Sequence, residues 1–317
     1  MKHTNIGQSG LRVGRLAVGT LTWGRDTDLD DAAAITSSLL AAGGNLIDIS
    51  PAYGEGLAVE TLGKILRKSV SRSDLVIAAH AGFSCTEGTE HTDFRAEVHA
   101  GRNTVIANTE HTLSVLGTHY LDLLVLGAPD PSTPLGETLS AAENLLRRGL
   151  VRYLAIANYP AWKAALALQR VADDGEKIIA LGTQLSLLNR QRAEQLLQLA
   201  EFTHTSVIAY APLAGGALTG KYRNTIPPTS RAATPHLAYT VSPFLSERPR
   251  RITEAVAKAA DGLGRTPSDI ALSWLLSDQN VAAAVCGPRT ANQANRLFSA
   301  ETEDLPEQVL KVLNDIS

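Results

Sequence analysis

Residues 15–24 read "RLAVGTLTWG", and the turn inside them decides the fold. A short apolar run ends at Gly19. In a doubly wound α/β sheet, the first strand is followed by a glycine-rich phosphate turn of the form G-x-G-x-x-G. Here Gly19 is followed by Thr20, Leu21, Thr22, Trp23 and Gly24, which does not match. Similar apolar runs recur at 45–50, 75–81, 121–127, 151–158, 178–185, 206–213 and 281–287. They are mostly continuous rather than alternating, as in strands covered on both faces. Helical patterns lie between them at 31–42, 59–68, 135–148, 162–171, 193–202 and 252–263. Gly43, Gly44, Gly149 and Gly264 stand where helices should stop. Eight strand-helix units predict an α/β fold of the (β/α)8 TIM-barrel class, one domain over 1–317. The opening "HTNIGQSGLRVGRL" predicts a hairpin turning at Ser9-Gly10 that caps the barrel floor.

The chain has 317 residues, 44% of them hydrophobic, and a formal net charge of −3. That balance gives no electrostatic footprint for nucleic acid or for an anionic membrane. No apolar run approaches the roughly 18 residues that span a bilayer. The start, "MKHTNIGQSG", lacks the apolar core of a secretion signal, so a soluble cytoplasmic protein is expected. Cys85 and Cys286 lie far apart, which predicts neither a disulfide framework nor a metal site. His91, His99, His111 and His119 show no ligand spacing and read as solvated positions. The stretch 214–251, with "NTIPPTSRAATPHLAYTVSPF", is rich in Pro, Ser and Thr. Connections that long are usually functional lids or disordered. It follows strand seven, so it is a candidate active-site lid.

Chemistry in a barrel sits at the C-terminal strand ends. Those ends carry Asp48, His80, Gly127, Asn158, Gly182 and Tyr210, with Arg289 just beyond the last strand. An Asp inside an apolar strand is costly unless paired. Tyr53, in the turn "SPAYGEG", is a plausible proton donor. A lone histidine after an apolar run, as in "LVIAAHAGF", usually reads as a core residue. At the third strand end, beside Asp48 and Tyr53, it becomes a member of an acid/base cluster.

The chain resembles the aldo/keto reductases nearly end to end. The resemblance is carried by "GGNLIDISPAYGEGLAVETLGKIL", "LDLLVLGAPD", "LVRYLAIANYP", "LSLLNR", "YAPLAGGALTGKY", "GRTPSDIALSWLL" and "GPRTANQ". It implies the barrel, NADP(H) as hydride carrier, and a catalytic tetrad of Asp, Tyr, Lys and His. Asp48 and Tyr53 match that tetrad. His80 stands at the lysine position and Gly127, in "GAPD", at the histidine position. Among the implied cofactor contacts, Asn158 would hold the nicotinamide amide and Tyr210 would stack on its ring. Gly182 replaces a glutamine that shares that task, Ala157 replaces a serine, and Leu185 an aromatic residue. Leu213, Gly215 and Lys221 fall in the loop that lies against the pyrophosphate. Arg289 and Gln293 match the grip on the adenosine phosphate, while Leu297 stands in place of an asparagine. Trp23 and Gly127 are expected at the substrate pocket, with Gly127 opening room on its floor.

A free histidine titrates near 6.5 and lysine near 10.4, so His80 carries less charge than a lysine at neutral pH. Burial lowers a histidine pKa and a nearby carboxylate raises it. Three readings stay open. The first is a divergent NADP(H)-dependent oxidoreductase acting on a small-molecule carbonyl or alcohol, with Tyr53 as general acid. The second is a non-redox acid/base enzyme, a dehydratase, isomerase or cyclase, using Asp48, His80 and Tyr53. The third is a binding or regulatory pseudoenzyme. Fold alone does not choose between them.

Overall fold

A computed structural model describes residues 1–84, 96–300 and 302–317; Cys85 and His91 lie outside the described residues. The eight apolar runs form eight strands: β1 (Leu16–Gly19), β2 (Leu46–Ile49), β3 (Val76–Ala81), β4 (Leu121–Leu126), β5 (Val151–Ala157), β6 (Ile178–Gln184), β7 (Ser206–Tyr210) and β8 (Val281–Cys286). Each pairs in parallel with the next in sequence, and β8 returns to β1, closing a barrel. The chain therefore adopts the (β/α)8 architecture.

The helices are α1 (Leu29–Ala41), α2 (Leu57–Lys68), α3 (Arg102–Leu116), α4 (Leu135–Arg147), α5 (Ala161–Asp173), α6 (Glu194–Thr203), α7 (Glu247–Leu263), α8 (Pro267–Ser277), α9 (Ala291–Phe298) and α10 (Glu307–Ile316). Their apolar stripes, Ile35 and Leu39 on α1 or Leu62 and Ile65 on α2, join one core cluster with the outward strand residues Ile47, Ile77 and Leu124. The inward residues form a second cluster, including Ala17, Leu46, Ala78, Val125, Ala155 and Ile208. Both faces of each strand are thus buried, which is why the runs read as continuously apolar.

Three residues from outside the barrel strands complete the inner cluster: Ile6, Leu11 and Val13. They belong to the hairpin His3–Asn5 and Arg12–Gly14 and the turn it encloses. The backbone N–H of Gly7 donates to Ser206 Oγ at the start of β7, at 2.7 Å. The hairpin therefore seals the N-terminal end of the barrel, as its sequence suggests.

The stretch 214–251 is not a structureless loop. It folds into short 3-10 turns, Ala214–Thr219, Arg231–Ala233, Pro235–Thr240 and Ser242–Phe244, and buries Leu237 and Val241. Helix α7 starts at Glu247, earlier than the sequence pattern indicates. Pro249 looks like a breaker, but it sits in the first turn, where its missing N–H has no helical partner to lose. Among the described residues, no helix is long and apolar enough to cross a membrane.

Candidate active site

Strand residues of the inward phase end at the loop face of the barrel. On β2 that phase places Asp48 inside, 2% exposed. A buried carboxylate without a partner is strongly unfavourable. Its partner comes from the neighbouring strand β3: His80 Nε2 lies 2.8 Å from Asp48 Oδ2. An ionised Asp48 only accepts, so Nε2 is the protonated ring nitrogen in this contact. Tyr53 opens the 3-10 turn Tyr53–Gly56 after β2, and its hydroxyl donates to Asp48 Oδ1 at 3.5 Å. A fourth residue joins from across the barrel. The Tyr210 hydroxyl, on β7, lies 3.2 Å from His80 Nε2. Burial, the Asp48 charge and Tyr239 raise the Tyr53 pKa well above its usual value. Burial, Asp48 and Tyr53 do the same for Tyr210. Both hydroxyls are held as proton carriers, not phenolates, at neutral pH.

The two glycines of this layer each meet an aromatic ring. A Cβ at Gly127 would lie 2.1 Å from Phe83 Cε2 and 3.3 Å from His80 Nδ1. The expectation that Gly127 opens room on the pocket floor is therefore corrected: the Phe83 ring takes that space. The turn carrying Phe83 is tied down, since Asn108 Oδ1 accepts from the N–H groups of Gly82 and Phe83 at 3.0 and 3.2 Å. A Cβ at Gly182 would lie 2.6 Å from Tyr210 Cε2. The missing side chain on β6 lets Tyr210 lean inward toward His80. Asn158 adopts a left-handed backbone, φ 60°, and its Nδ2 donates to the Gly127 carbonyl at 2.8 Å.

A cavity of about 760 Å³ opens above this cluster, lined by Asp48, Tyr53, His80, Phe83, Asn158 and Tyr210. Trp23 is not on its wall. It is fully buried in the core cluster, and the pocket role expected for it is corrected accordingly. Its large apolar ring is better placed among Leu and Ile side chains than at a wet surface.

A second cavity of about 930 Å³ adjoins the first, and Leu213, Gly215, Lys221, Arg289 and Gln293 all line it. Gly215 and Gly216 have φ of 66° and 101°, and a Cβ at Gly215 would meet the Thr240 carbonyl oxygen at 2.7 Å. Glycine is required there because Thr240, Val241 and Lys221 already fill the space a side chain would take. Arg231, from the folded stretch after β7, lines both cavities. Desolvation and the neighbouring Arg289 lower the Arg231 pKa. Desolvation, Arg231 and Arg289 likewise lower that of Lys221, against an opposing effect of Tyr222. Among the described residues none of these three cations has a carboxylate within salt-bridge distance. Arg231 Nη2 donates to the Gly287 carbonyl at 2.7 Å, Arg289 donates to the Thr229 carbonyl, and Gln293 Oε1 accepts from the Arg289 N–H at 2.9 Å. Three cations that repel one another, with no carboxylate within salt-bridge distance among the described residues, give this cavity wall a positive charge.

Sequence reasoning missed Tyr210 as a hydroxyl, Phe83 and Arg231. The first two depend on which gap a ring fills, and Arg231 sits in a Pro/Ser/Thr-rich stretch with no local motif. Among the described residues, no group of three or more His, Cys, Asp and Glu side chains is placed to hold a metal ion.

A model of the Aldo/keto reductase family matches residues 15–317. The chain is also similar to the uncharacterized oxidoreductase YrpG of Bacillus subtilis (strain 168). The two are 28% identical over 325 residues, an alignment that covers 100% of this chain and 96% of that protein.

Proposed function

The chain belongs to the aldo/keto reductase family, and from that membership we propose that it is an oxidoreductase reducing a small-molecule carbonyl with NADPH. One observation carries the reading. Tyr53 and His80 meet the same buried carboxylate, at 3.5 and 2.8 Å, on the wall of a cavity of small-molecule size.

NADPH, when bound, supplies the hydride. Its phosphates fit the second cavity, where Lys221, Arg231 and Arg289 have no carboxylate within salt-bridge distance among the described residues. Arg289 and Gln293 would hold the adenosine end and Asn158 the nicotinamide end. Tyr53 Oη gives its proton to the carbonyl oxygen as that oxygen becomes an alkoxide. Asp48 fixes His80 beside the tyrosine that loses a proton. Tyr210 holds the same imidazole nitrogen from the other side. The folded stretch after β7 narrows the mouth with Tyr239 and Phe244, which limits water at the reacting oxygen.

Fluorescence titration with NADPH, followed by assay on a panel of aldehydes and ketones, tests the proposal. Micromolar binding and hydride transfer are expected, with the rate falling about 10²–10⁴-fold in Tyr53→Phe. Absence of NADPH binding overturns it. A second reading, cofactor-independent proton transfer, is favoured by Tyr53 and His80 both touching Asp48 with Tyr210 on the same imidazole nitrogen, a cluster built of this chain's own residues. Turnover without NADPH that is lost in His80→Ala would establish it in place of the first.

A further inference from the structure

The cavity above Asp48 carries a charge that proton transfer does not use. Arg190 and Arg192 lie on the 3-10 turn Arg190–Arg192 after β6, and Arg248 lies in the first turn of α7. All three line the cavity, together with Arg231. The carboxylates on its wall are Asp48, engaged by His80, and the terminal group of Ser317. Among the described residues, Ser317 makes no salt bridge to any of these arginines, and the side chains of Arg192 and Arg248 make no ion pair or hydrogen bond. Arg190 is steadied by Asn314, whose Oδ1 accepts from Nη1 at 3.0 Å.

Composition does not explain the cluster, because the whole chain has a net charge of −3. The cofactor does not explain it either. The cations assigned to its phosphates line the second cavity, and Arg190, Arg192 and Arg248 are absent from that wall. Guanidinium groups match a carboxylate fork in geometry, and Arg192 and Arg248 stand exposed at the cavity's rim, where an arriving anion meets them first.

We infer that the substrate is a carbonyl compound bearing a carboxylate, held at the mouth by Arg190, Arg192 and Arg248 while its carbonyl reaches toward Tyr53. The carbonyl end rests on the reductase reading; the anion-binding end does not. The test therefore has two independent arms. In the first, isothermal titration measures binding of benzene-1,4-dicarboxylate, which cannot be reduced. Binding that weakens at least tenfold in R192A/R248A, and that weakens with added salt, is expected. An unchanged dissociation constant in R192A/R248A overturns the inference. So does equal weakening in Lys221→Ala, which would put the anion in the second cavity. In the second arm, kcat/KM is compared for 4-carboxybenzaldehyde and its uncharged 4-methyl analogue. The ratio is expected to favour the carboxylate and to fall at least tenfold in R192A/R248A, whereas Arg148→Ala, remote at the C-terminal cap of α4, keeps the parental ratio. A ratio that does not move with the two arginines overturns the inference. Dicarboxylate binding with no reduction of either aldehyde overturns the reductase reading and leaves the anion site standing.

Discussion

A tyrosine hydroxyl beside a buried carboxylate holds its proton harder than one in water. For Tyr53 the sign follows directly. Burial and Asp48 both oppose the phenolate, so its pKa lies above the usual value of about 10. Carbonyl reduction needs the protonated form, so its tyrosine-dependent step shows no loss between pH 7 and about 10. Alcohol oxidation needs the phenolate, so its rate climbs throughout that range without a plateau. Profiles of kcat/KM against pH in both directions check this, and a tyrosine-dependent fall in reduction centred below about pH 9 would contradict it. At this scale the sequence marks charge better than space. Asp48 in an apolar strand and His80 at the end of one are visible as costs that need partners. The rings that occupy the gaps at Gly127 and Gly182 come from elsewhere in the chain, and no spacing rule joins Gly127 to Phe83.

At the scale of elements, the legible parts are those with a one-dimensional signature. Eight continuous apolar runs become eight strands, because burial on both faces leaves no alternation to blur. Helix α3 carries no such signature: Thr109 and Thr112 face the core, and Thr109 satisfies its hydroxyl on the Val105 carbonyl at 2.8 Å. A search for apolar periodicity passes over a stripe made partly of threonine. The loop after β4 shows a similar hidden order around Asp130. Its carboxylate accepts from the Ser132 N–H and hydroxyl at 2.8 and 2.6 Å, the Thr133 hydroxyl at 2.7 Å and the Ala100 N–H at 2.9 Å. Burial opposes ionisation, but these donors together outweigh it and hold the carboxyl well below the usual range. A depressed folded pKa stabilises the fold above the unfolded pKa of about 3.9 and loses that contribution as pH falls below it. Asp130→Asn is therefore expected to lower stability by about 1–3 kcal/mol at pH 7. The gap to the parent should narrow below about pH 4. Urea midpoints measured from pH 7 to pH 3 read both effects, and a gap constant across that range would refute the assignment.

For the whole molecule, the decisive contact is between the two ends of the barrel and what closes them. Ile6 and Val13 are fully buried on the inner cluster, so the hairpin is part of the core and not an appendage. Truncating Ile6 to Ala is expected to cost about 2–4 kcal/mol, seen as a lower urea midpoint. A shift under about 0.5 kcal/mol would show that the floor is loosely seated. The closed floor, with small apolar residues packed above it, makes the barrel a blind-ended well. Among the described residues, Asp48, His80 and Tyr210 face the first cavity, at the loop end of the barrel. Whatever occupies the mouth then lies between that trio and the buffer.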